Sequence, residues 1–193
     1  MQNQYLDDLL HEVSLITKKV QVEFGRLSSG QLNWKPAPEQ WSIAQCLDHL
    51  IKANQQYFPL LESVANGTRK ASWMEKLPGL PGFFGKMMLR TLDPSNTKKF
   101  KAPALFKPVA SQLPPSVVAD FVQHQQELIR LMRAVDRVPA HEKTIVSSPV
   151  SGLITFSLKD AVSIIVVHEE RHFMQAKRLL KADGFPLTTG QAV

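Results

Sequence analysis

The chain has a single cysteine, Cys46, in 193 residues, so an internal disulfide is excluded. No apolar stretch reaches the length of a membrane span. The first residues, Met1-Gln2-Asn3-Gln4-Tyr5, hold no basic cluster followed by an apolar run, so no secretory leader is expected and the expected location is the cytoplasm. There is no internal repeat, and no pair of alternating stretches suggests paired strands. Acid is scarce in one place. From Arg69 to Lys107 there are nine Lys/Arg and two Asp/Glu, a balance of +7. The remainder has 14 basic and 15 acidic residues, a balance of −1, so the net charge of +6 belongs to one segment. That distribution does not support a nucleic-acid-binding reading of the whole chain.

What is present points to helices. A chain of this length is expected to form one domain, residues 1–193, with an insertion at about 68–113 and a core large enough to need no staples. The first helix is expected from Tyr5 to Phe24, on the stripe Leu6, Leu9, Leu10, Val13, Ile16, Val20 and Phe24. Gly25 and Ser28-Ser29-Gly30 end it, and Leu32 to Gln40 reads as a proline-containing connector. Ser42 followed by Gln45 is a capping box that opens a second helix, expected to continue to about Asn66 with Gly67 as its stop. Cys46, His49, Leu50, Ala53, Tyr57, Leu60, Leu61 and Val64 share one face of it, so Cys46 reads as a buried thiol. A third helix runs from Pro114-Pro115 to about Val138, with Val117, Phe121, His124, Leu128, Leu131 and Val135 inward. A fourth opens at Ser157-Leu158-Lys159-Asp160 and ends before Gly184, with Leu158, Ala161, Ile165, His168, His172 and Leu179 inward. The expected fold is all-α: a four-helix bundle with a long crossover connection between helices 2 and 3.

The last helix carries His168-Glu169-Glu170-Arg171-His172. Residues four apart lie one turn apart on one face, so both imidazoles can converge on one metal ion. The letters also match the H-E-x-x-H zinc motif of proteases. Those enzymes take a third ligand from downstream. Here the 21 residues after His172 hold no histidine and one acid, Asp183. The third ligand is therefore expected from upstream, where Asp and Glu are candidates and His49, inside the apolar stripe of the second helix, is the best one. Two imidazoles on a buried face are costly unless hydrogen-bonded or metal-bound. Three histidines would leave a coordination position open to water or substrate, and they suit Zn, Ni, Fe or Cu. His124 also faces inward and could be a fourth ligand or a group behind the ligands. Gln175 shares the face of His172 and could orient a ligand or a bound water. Glu169 sits about 100° round the helix from His168. It could act as a base, although a solvated or salt-bridged carboxylate is the expectation. Arg171 is expected to pair with an acid on a neighbouring helix, and His11 and His141 to lie at the periphery.

Taken together, Trp41-Ser42-Ile43-Ala44-Gln45-Cys46-Leu47-Asp48-His49-Leu50 and His168-Glu-Glu-Arg-His172-Phe-Met-Gln175 resemble the DinB/YfiT-like superfamily. Either half alone is a weak signal; the pair is fairly specific. The resemblance covers almost the whole chain apart from the middle insertion and the last few residues. It implies a four-helix bundle with a long second connection and a divalent metal, zinc or nickel, on His49, His168 and His172. It also implies a homodimer. Characterised relatives of that family include S-transferases that use low-molecular-weight thiols such as bacillithiol or mycothiol, a mycothiol-dependent isomerase, and proteins labelled metal-dependent hydrolases. On those grounds the expectation is a metal-dependent enzyme, a thiol S-transferase acting on a small electrophile. The alternatives are a hydrolase of a small amide or ester, or a non-catalytic metal-binding or interaction module.

The proline-dense stretch from Trp73 to Leu113 holds Phe83-Phe84, Met87-Met88 and Lys98-Lys99-Phe100-Lys101. Its expected form is an irregular excursion. Three roles fit it: a wrap whose Phe and Met pack on the bundle while its lysines stay wet, a lid whose lysines meet an anionic small-molecule substrate, or a contact with a membrane surface. The wrap is the plainest of the three, the lid comes next, membrane contact through 73–113 is the least expected, and no nucleic-acid partner is expected.

Overall fold

Helices are set by their caps and breaks. The computed structural model describes residues 4–77, 79–96, 112–139 and 141–187. Helix α1 spans Gln4–Phe24 and buries Leu6, Val13, Ile16, Val20 and Phe24. Gly25 follows, where a β-carbon would sit 2.4 Å from the Gln21 carbonyl oxygen. Helix α2, Ser29–Asn33, occupies part of the expected connector. It is held by a reciprocal capping box between Ser28 and Gln31, the same Ser-x-x-Gln pattern that opens the next helix.

That next helix, α3, spans Ile43–Gln55 behind the Ser42/Gln45 box. It does not run unbroken to Asn66. Pro59 has no N–H and its ring would collide with the carbonyl four residues back, so the chain turns at Gln56-Tyr57 and restarts as α4, Phe58–Ala65. Bonds from the amides of Gln56 and Tyr57 to the carbonyls three residues back carry the turn. Gly67 then ends α4 at φ 66°. Its amide bonds Val64 and the Thr68 amide bonds Ser63, the paired closure that a left-handed residue permits.

The middle segment is not irregular throughout. Helix α5 spans Leu80–Leu92 after Gly79 at φ 81°. Pro81 lies in its first turn, where proline is tolerated. Pro81, Phe84, Gly85, Met88, Leu89 and Leu92 form its inward face, packed on α7 (Leu158–Leu179) and the last strand. Gly85 is needed there because a β-carbon would lie 2.4 Å from an Asp160 carboxylate oxygen. The Lys98-Lys99-Phe100-Lys101 cluster lies outside the described residues.

Helix α6 spans Val117–Asp136 with the whole expected stripe buried. Two short strands follow, against expectation. β1 (Ile145–Ser147) pairs antiparallel with β2 (Thr155–Ser157), Val146 opposite Phe156. Each strand has three residues, too few for alternation to register in the sequence. Ser157 ends β2 and caps α7, its hydroxyl accepting from the Asp160 amide. One continuous core joins these parts: α1 packs on α6 and α7, α3 on α6 and α7, and α4 on α6. Among the described residues the chain is therefore mainly helical with one small sheet. No described helix is long and apolar enough to cross a membrane.

Candidate metal centre

His49 stands two turns into α3, aimed at α7 by the Ser42/Gln45 cap and the apolar stripe around it. His168 and His172 stand one turn apart on α7, which packs directly against α3. The three imidazoles meet. Ring centroids are 4.9 Å apart for His49–His168, 4.5 Å for His49–His172 and 4.6 Å for His168–His172, all edge to face. One ligand atom from each lies within 4.8 Å of the other two, and among the described residues this is the group of His, Cys, Asp or Glu side chains placed to hold a metal ion.

The donor set fits a divalent ion on three counts. First, the Nε2 atoms of His49 and His168 are 3.1 Å apart. Imidazole nitrogens sharing a tetrahedral ion at about 2.0–2.1 Å would be about 3.3 Å from each other. Second, burial favours the neutral form of the two rings on α7. Burial, then the His49 and Arg171 charges, push His168 down to about 3. Burial, then His168, His49 and Arg171, push His172 well below its ordinary value, with Gln175 acting the other way. Neutral imidazoles offer lone pairs, as metal ligands must. Third, Nδ1 of His172 is buried without a hydrogen-bond partner, a costly arrangement for a polar atom.

Several neighbours shape the site. Trp41 stacks on His172 at 5.5 Å and 21° and leans on His49 at 4.8 Å, walling one side of the imidazole group. The sequence offered Trp41 only as a letter in a motif; its place one residue before the Ser42 cap was the available signal. Gln175 hydrogen-bonds His172 and favours its protonated form. Arg171 donates to the main-chain carbonyls of Asp93 and Asn96, at 3.0 and 2.8 Å, and so ties the end of α5 to the histidine helix.

Glu169 is not on a solvated or salt-bridged face. It is fully buried, accepting from Asn54 Nδ2 of α3 at 2.6 Å and from Gln125 Nε2 of α6 at 2.9 Å. Burial raises its pKa to about 7 against the pull of both amides. With both carboxylate oxygens engaged by these amides, it fixes the rotation of α7 and hence the aim of His168 and His172. It is a brace between three helices and is poorly placed to serve as a base. Neither Asn54 nor Gln125 stood out in the sequence, because burial of an amide leaves no pattern.

His124 does not join the three histidines. Its ring stacks on Phe58 of α4, centroids 4.9 Å apart and 8° from parallel. Burial pushes it down to about 4. A histidine neutral when folded and charged when unfolded adds stability above pH 6.5 that is lost as pH falls towards 4. The shift corresponds to on the order of 3 kcal/mol. The His124→Phe variant is expected to keep the stack and lose this acid sensitivity. Its urea stability relative to wild type should improve by roughly 2–3 kcal/mol between pH 7.5 and 4.5; a constant difference would contradict a neutral buried ring. His141, expected at the periphery, is also buried, with Nδ1 bonded to the Val138 carbonyl at 2.9 Å.

A family model for the DinB superfamily matches residues 17–176. The chain belongs to the DinB superfamily. The matched stretch contains all three histidines and ends just past Gln175. No curated protein and no solved structure gives a significant match to the chain.

Proposed function

We propose that this DinB-superfamily chain is a divalent-metal-dependent enzyme, with zinc or nickel held by His49, His168 and His172, that transfers a low-molecular-weight thiol to a small electrophile. The observation that carries the metal reading is the convergence of three imidazoles from two helices at one point, with burial favouring the neutral form of the two on α7. A divalent ion on such a donor set lowers the pKa of a bound thiol or water towards neutrality. The residues here supply the rest. Trp41 keeps water from one side of the group, Gln175 offers an amide at its edge, and Glu169 holds α7 in register. In this reading the packed layers α1, α3 with α4, α6 and α7 form a four-helix bundle whose second connection, through α5, is the long crossover.

The sulfur would come from outside. Cys46 is fully buried and burial pushes its thiol up to about 12, so the one protein thiol is inert at neutral pH. The test is a screen of metal-loaded protein against small electrophiles with and without low-molecular-weight thiols. Product that requires both thiol and metal, and that falls by at least about 100-fold in His49→Ala, is the expected result. Thiol-independent release of an ester or amide product would place the chain among hydrolases. Loss of tens of degrees of thermal stability on chelation, with no turnover of any probe, would mark the site as structural.

A further inference from the structure

We propose that the outer face of α5, with the turn before it, docks on the surface of an anionic lipid bilayer. The described part of the basic segment does not hide all its large apolar side chains. Phe84 and Met88 face the core, but Phe83 is 62% exposed and Met87, one turn on, is 39% exposed. Leu77 and Trp73 precede them along the chain, and Trp73 is 69% exposed. The Ser72 hydroxyl meets that of Ser147 at 3.2 Å, at the end of the ladder from which the loop with exposed Leu153 departs. α5 itself lies on β2. The segments that carry these exposed aromatic and long apolar groups thus adjoin one another, with Phe83 and Met87 on the outer face of α5.

Their charge is of one sign. Lys70, Lys76, Lys86 and Arg90 are exposed between residues 70 and 92, and the one acid in that span, Glu75, is buried against Arg69 with Ser147 donating to it. Aromatic and aliphatic tips interleaved with lysine and arginine suit a headgroup boundary, where tips insert and cations meet lipid phosphates. A second copy fits poorly, because a two-fold contact would set these four cations against themselves with Asp93, at the end of α5, as the exposed acid beside them. A nucleic acid would leave Leu77, Met87 and Leu153 without partners.

The test is co-sedimentation of the full chain with phosphatidylcholine vesicles and with vesicles half phosphatidylglycerol, at low and high salt. Binding to the anionic vesicles, at least about tenfold tighter than to the zwitterionic ones and weakened by salt, is expected. The triple reversal Lys76→Glu, Lys86→Glu, Arg90→Glu should weaken it by about a hundredfold or more. Phe83→Ser should weaken it by about tenfold and leave salt dependence intact. Both variants change exposed side chains, so circular dichroism and metal content should match wild type. Equal affinity for both vesicle types, no sedimentation with either, or a dimer that Phe83→Ser dissolves would overturn the proposal.

Discussion

Wild-type protein is expected to carry near-stoichiometric divalent metal after purification, and the His172→Ala protein to carry almost none. The ring of His172 touches both other imidazoles, at 4.5 and 4.6 Å, and is the one Trp41 covers face to face. Its removal leaves two donors and a hole beneath an indole. Losing even a group behind a ligand weakens metal binding about 10–100-fold, so loss of a ligand should exceed about 100-fold. His49→Ala should behave alike although it lies on a different helix, because the donors come from α3 and α7 together. Elemental mass spectrometry on the three proteins, with far-ultraviolet circular dichroism to show equal helix content, checks this. Metal retained in either variant, or none in wild type after incubation with zinc or nickel, would leave the histidines as core residues.

The second large effect is expected at Glu169. Truncation to alanine removes the acceptor for two buried amide donors and opens a void between α3, α6 and α7. Each stranded donor costs about 1–3 kcal/mol, and the void adds to it, so a loss of about 3–5 kcal/mol is expected in urea denaturation. Replacing all three partners, Asn54→Leu, Gln125→Leu and Glu169→Leu, should cost far less than the single truncation, because no polar group is then stranded. The pH dependence has a definite sign. The folded pKa, about 7, is above the ordinary carboxyl value of 4.5, so the folded state binds the extra proton between them. Stability from this group is full below pH 4.5 and falls as pH rises to about 7, by on the order of 3 kcal/mol. Glu169→Gln should therefore gain on wild type by that amount across this window, measured as a difference on chelated protein so that the histidine titrations cancel. A flat difference, or one that grows in the opposite direction, would contradict the assignment.

The fold was legible where side-chain period and cap agreed. α1, α6 and α7 follow their stripes closely, and Ser42, Ser157 and Gly67 act at the ends expected of them. It was illegible where a local rule competed with the stripe. Cys46 to Val64 keep one inward face, yet Pro59 divides the helix that the stripe suggests is whole. Gly82, Gly85 and Pro81 lower helix propensity enough to mask the inward spacing of Phe84, Met88 and Leu92 in α5. Ser28-Gln31 carries the same box as Ser42-Gln45, with Gly30, a poor helix former, inside it to mask the signal. At the site, the stripe shows that His49, His124, His168 and His172 all turn inward. It cannot show which neighbour each meets: three find one another, and His124 finds Phe58. The partners of Glu169 depend on α3, α6 and α7 meeting in space, with Asn54 115 residues before it in the chain and Gln125 44 before it.

The donors of the imidazole group are also far apart along the chain, with His49 and His168 separated by 119 residues. Closing so long a loop costs entropy before any contact repays it. The unfolded or half-folded chain presents a histidine pair at most. A metal that binds the three together therefore favours the native state over the unfolded chain, and stabilises it through mass action by the difference between the two affinities. Metal supply would then govern how much folded protein persists as well as how much of it is loaded.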